Sequence, residues 1–191
     1  MSVKPLEDSD IKIAGDSFDP APARTTDDGD ETARELERQK SNGNLSRARR
    51  LGALMADDVS AVEGDTPAGD SALQTQRRIL LAFAVQVGLN RFLPGKLLTE
   101  TATAVFYDTL RETAPAFFED LQESGAFSFY YLCVRQGGDV EPAVGETFAS
   151  LCGRADNPTY ARMGEELYRR FIGQVQHFVE VLGFAVDGDD R

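Results

Sequence analysis

Aromatic side chains carry the largest apolar areas that a core can bury, and in this chain they are segregated. Of twelve Phe and five Tyr, with no Trp, only Phe18 precedes residue 83. The other sixteen lie between Phe83 and Phe184. A stretch of about 70 residues almost without them has little to offset the entropy of ordering itself. The distribution therefore predicts three parts: a largely disordered acidic arm over residues 1–70, a folded domain over 71–184 and a short acidic tail over 185–191. A domain of that size is ordinary for one core.

Charge follows the same division. The net charge is −12, and residues 1–33 hold nine acids against Lys4, Lys12 and Arg24. Residues 51–72 hold five acids and no base. Between them, residues 34–50 reverse the sign, with six bases against Glu35 and Glu37. Overall acidity argues against broad binding of phosphate or anionic membrane and favours solubility. The most apolar run, Ile79–Leu89, is too short to span a bilayer and contains Gln86 and Gly88. No charged stretch followed by an apolar run opens the chain, so no signal peptide is expected. The two cysteines, Cys133 and Cys152, sit among apolar residues and build no disulfide framework, which fits a reducing cytoplasm.

Periodicity reads as helix throughout. Within the arm, two short helices are expected at about 30–41 and 45–57, separated by Asn42-Gly43-Asn44. The second carries Leu51, Leu54 and Met55 at i, i+3, i+4, and Val59–Gly69 reads as a linker. In the domain, Ser71-x-x-Gln74 is a capping-box pattern ahead of a helix that is apolar over most of its surface to about Phe92. Pro94-Gly95 ends it. Leu98, Ala102, Val105, Phe106 and Leu110 mark an amphipathic helix to about Thr113, and Pro115 opens a short one with Phe117, Phe118 and Leu121. Ala126–Gln136 suits a strand by composition, but no second strand exists to pair with it, so a buried helix is expected. Asp139 is expected to cap a helix to about Cys152. Asn157 and Pro158 start the last helix, where Ala161, Gly164, Tyr168, Phe171, Val175, Phe178 and Leu182 alternate spacings of three and four to Gly183. The fold class is all-α: about four main helices and one or two short ones. The last helix's heptad-like seam serves either the core or a second copy of the chain.

No pattern of residues carries recognisable catalysis. His177 is the only histidine and falls on the polar side of its helix. Cys133, Cys152 and His177 lie on three segments without metal-ligand spacing, so neither metal nor cofactor is expected. Gly137-Gly138-Asp139 lacks the spacing of a phosphate loop. These features lean away from an enzyme and toward a helical protein-interaction module, an adaptor or regulator with a protein partner. The segment expected to dock is Leu45–Met55, with Leu51, Leu54 and Met55 as anchors and Arg47, Arg49 and Arg50 beside them. One alternative is a small-molecule binder or enzyme with an aromatic pocket near Tyr130, Tyr131 and Cys133. Another is a nucleic-acid accessory role for Arg47–Arg50, disfavoured because the domain adds no basic surface.

Overall fold

The computed structural model describes residues 26–61 and 71–185. The chain divides into two compact units, Met1–Glu35 and Leu36–Arg191. Of the first, residues 26–35 are described, and they are helical. Residues 1–25, most of the expected linker and residues 186–191 of the expected tail lie outside the described residues. The helices are α1 (Thr26–Ser41), α2 (Asn44–Ser60), α3 (Ser71–Phe92), α4 (Lys96–Thr113), α5 (Pro115–Glu123), α6 (Ala126–Gln136), α7 (Val140–Leu151) and α8 (Pro158–Leu182). Every regular element among the described residues is a helix. Residues 71–184 hold four long helices and the shorter α5 and α6, as the sequence predicts. The ambiguous 126–136 stretch is helical and buries Ala126, Tyr130 and Cys133, which recur at helical spacing. Gly125 before it (φ 62°) and Gly137 after it (φ 71°) adopt positive φ, where other residues are strained.

The second unit begins well before residue 71. Helix α2 buries Leu45, Ala48, Leu51, Met55, Ala56 and Val59, chiefly against α4. Ala48, Gly52 and Ala56 recur every four residues, so one stripe of α2 carries almost no side chain. A Cβ built at Gly52 would stand 2.3 Å from the Ala102 carbonyl oxygen and 3.0 Å from the Phe106 nitrogen. The two backbones therefore nearly touch, and Leu51 and Met55 close the interface without any aromatic residue from α2. The aromatic distribution predicts this helix outside the folded domain, and the structure differs because close approach replaces large side chains as the means of excluding water. The basic start and acidic end of α2 oppose its dipole, but that costs only a few tenths to about one kcal/mol. Each fully buried Leu or Met offsets it with about 1.5–3 kcal/mol.

Helix α3 is the centre. All seven residues from Ile79 to Val85 are fully buried, so it meets neighbours on every side. Helix α8 lies along α3 and α7, and its seam residues Gly164, Tyr168, Phe171 and Val175 are buried between them. The heptad-like seam is therefore intramolecular core. Glycine again sets the spacing: a Cβ at Gly145 would meet the Ala161 carbonyl oxygen at 2.3 Å, and one at Gly88 would meet Val175 Cβ at 2.8 Å.

Local signals fix the ends. The Asn157 side chain accepts from the Thr159 N–H at 3.0 Å, with Pro158 in the first turn. Gly183 closes α8 in the left-handed conformation. Asp139 occupies the residue before α7, but its side chain makes no capping bond there. The turn between α1 and α2 is held by Asn44, which is fully buried. Its side-chain N–H groups donate to Gln39 Oε1 (2.7 Å) and to the Ala185 carbonyl (2.9 Å). Its oxygen accepts from the Ala185 N–H (2.9 Å) and from Arg47 (3.1 Å). Ala185, three residues past the end of α8, is thereby fastened to the α1–α2 turn.

Candidate functional site

The residues singled out in sequence do not form one site. Leu51 and Met55 are fully buried in the core and Leu54 is half-buried. This corrects the expectation of a tethered docking segment, since α4 of the same chain already covers the anchors. Arg47 is committed to the α1–α2 turn, donating to the Asn42 carbonyl (2.9 Å) and to Asn44. Arg49 and Arg50 remain exposed, which leaves two cations of the three expected for phosphate contact. His177 is exposed and stands edge-tilted near Phe178, ring centres 5.9 Å apart.

The proposed aromatic pocket also separates. Tyr130 is fully buried, and its ring lies 5.2 Å from that of Phe83. Its hydroxyl has no hydrogen-bond partner among the described residues. Burial, with smaller contributions from Cys152 and Cys133, raises its pKa far above the ordinary phenol value. Cys133 is buried, with its sulfur 3.2 Å from Thr147 Oγ1 and 3.5 Å from the Ala143 carbonyl oxygen. Neither residue lines the cleft that opens beside them. Tyr131, one position on, does.

Tyr131 forms part of an open cleft of about 920 Å³ between α3, α6, α7 and α8. Gln86, Val87, Asn90 and Arg91 form the α3 wall; their spacings of one and four residues put them on one side of that helix. Tyr131 and Val134 come from α6, and Glu165, Tyr168 and Ile172 from α8. The link Gly138-Asp139 and the first turn of α7 close the remaining side. Both tyrosines rest on buried Phe83: Tyr131 edge-on at 5.2 Å, Tyr168 stacked at 6.3 Å. The Gln86 side-chain oxygen accepts from the Tyr107 hydroxyl of α4 at 2.6 Å, and its backbone carbonyl accepts from the Asn90 side chain at 2.8 Å.

Electrostatics divide the cleft. Arg91 stands on the α3 wall, whereas Asp139, Glu141 and Glu165 stand toward α7 and α8. At the rim Arg169 joins two helices: its Nε donates to Glu141 at 2.6 Å, and its terminal nitrogen donates to Glu165. Burial raises the Tyr168 phenol above its usual pKa; Arg91 lowers it and Glu141 raises it. Burial raises Tyr131 too. Both phenols are therefore protonated donors at neutral pH. The cleft offers apolar and aromatic floor, two phenolic donors, one guanidinium and three carboxylates, a set suited to recognition.

Outside the cleft, α6 exposes Phe129 (55%) and Leu132 (52%), one helical turn apart. Among the described residues no group of three or more His, Cys, Asp or Glu could hold a metal ion, and no helix is long and apolar enough to cross a membrane. No protein-family model, curated protein or solved structure matches the chain.

Sequence reasoning pointed to Tyr131 but missed Arg91, Glu141, Glu165 and Tyr168. Three of them are charged residues on helices, indistinguishable in sequence from any solvated face. Tyr168 was visible only as a seam residue. Their convergence follows from how α3, α7 and α8 cross.

Proposed function

We propose that this protein is a helical protein-interaction module, and that its binding surface is the cleft between α3, α6, α7 and α8. The supporting observation is a half-open cleft of peptide size with an aromatic floor and a charged rim, beside a helix that leaves Phe129, Tyr131 and Leu132 uncovered. Helix-in-groove recognition needs such a combination: apolar area to bury and polar groups to set register. The Leu51–Met55 segment is not the docking element in this reading, because its anchors are spent on α4.

A photo-crosslinking amino acid placed at Tyr131, and in parallel at exposed Arg170 outside the cleft, tests the proposal in cells of the source organism. The expected result is a discrete protein adduct from position 131 that is absent from position 170. Equal adducts, or none from position 131, overturn it.

A second reading has one observation in its favour. The cleft's volume also falls within the range of about 300–1,000 Å³ common for small-molecule sites. A thermal-shift screen addresses it, since a ligand held only by the native state raises the melting temperature.

A further inference from the structure

The cleft's charge distribution narrows what a partner must look like. Its acidic wall holds Asp139, Glu141 and Glu165, and the single lining cation, Arg91, stands across from it. The chain already shows what that wall accepts, because the Arg169 guanidinium bridges Glu141 and Glu165 across α7 and α8. Arg169 does not use the wall up. It is about half exposed, and solvent screens exposed ion pairs so that they hold only weakly; an incoming cation can therefore share or displace it at small cost. Asp139 makes no capping bond at α7 and is exposed. The N-terminus of α7 contributes roughly half a positive charge nearby. With Arg169 counted in full as well, the three carboxylates still leave the wall with about one and a half negative charges.

Resting on the reading of the cleft as a protein-binding surface, we propose that its occupant is a basic amphipathic segment. Its apolar face covers Tyr131 and the floor, and Lys or Arg along one edge meets Asp139, Glu141 and Glu165. Arg91 on the opposite wall repels a second basic edge, so the charge must be one-sided, and this fixes the segment's orientation. The overall charge of −12 favours the encounter with a basic partner at low salt.

The test is selection of helical peptides from a phage-displayed library on the full chain, followed by fluorescence anisotropy of the winners. The expected outcome is a set of peptides with Lys or Arg on one edge. Their affinity should fall about tenfold or more in the double variant Asp139→Asn, Glu141→Gln, fall with added salt, and vanish in Tyr131→Asp. Both charge substitutions alter groups that are at most half-buried, and circular dichroism confirms that the variants remain folded. Peptides that depend on Tyr131 but carry no basic excess, or that ignore the charge variant, overturn the inference and leave the protein-binding reading standing. If no selected peptide depends on Tyr131, both fall.

Discussion

Substitution of Gly52 by alanine sets two effects of known size against each other. In a helix interior, Gly→Ala adds about 1 kcal/mol of stability through backbone entropy alone. At Gly52 the added Cβ would lie 2.3 Å from the Ala102 carbonyl oxygen, where ordinary contacts begin near 3.4 Å. The obstructing atom belongs to the α4 backbone and cannot rotate away, so α2 and α4 must separate by about 1 Å. Such overpacking costs about 1–3 kcal/mol, and a rigid obstacle places it at the upper end. Separation also loosens Leu51 and Met55, which are fully buried. The net expectation is destabilisation by about 2 kcal/mol, equivalent to a melting temperature lower by roughly 4–8 °C for a chain of this length. Gly173 is the control. It is exposed within α8 and nothing lies within 4 Å of a Cβ built there, so Gly173→Ala should stabilise by about 0.5–1 kcal/mol. Urea titration followed by circular dichroism reads both. If Gly52→Ala is as stable as the parent or more so, the two helices do not approach as described, and α2 loses its argument for membership of the core.

Tyr130→Phe removes a buried hydroxyl without a partner among the described residues; it should leave stability unchanged or raise it by about 1 kcal/mol, read by the same titration, whereas a loss above about 1 kcal/mol would mean that the hydroxyl is bonded. Asn44→Asp keeps the shape but replaces a donor to Gln39 and the Ala185 carbonyl with an acceptor, so thermal unfolding should show a loss of about 2–3 kcal/mol; an unchanged melting temperature would refute the fastening of Ala185 to the turn. Asp58 bonds Gln174, and its pKa is raised from 3.8 by burial, then by Asp57, with the Gln174 bond lowering it. A raised carboxyl pKa means that ionisation costs the native state; that cost is full above the folded value and fades as pH falls through it toward 3.8. The stability of Asp58→Asn relative to the parent, measured as melting temperature from pH 4 to pH 7.5, should therefore increase with pH, and a difference that is flat or falls would refute the assignment.

The candidate site was legible only in part. The sequence marks α6 through Tyr130, Tyr131 and Cys133, and one of these, Tyr131, does face the cleft. Its neighbours divide by helical phase: Tyr130, one position earlier, points into the core, and Phe129 points outward to solvent. Sequence alone cannot assign these roles, because a helix with apolar residues on several sides does not show which side meets α3 and which meets nothing. The basic cluster failed for a related reason. Arg47 differs from Arg49 and Arg50 only through the turn it closes with Asn42 and Asn44, a contact that exists once the chain has folded.

By itself the sequence determined the all-helical class, the six helices of residues 71–184, and their ends at Pro94-Gly95, Asn157-Pro158 and Gly183, because helix formation and termination depend on neighbours within a few residues. The tertiary structure alone decided that α2 belongs to the core, that the α8 seam faces inward and that Arg91, Glu141 and Glu165 share a cleft. Each of these depends on distances between segments far apart in the chain. A glycine such as Gly52 reads as a weak point in its own helix, and becomes a close contact only when the carbonyl of Ala102 arrives beside it.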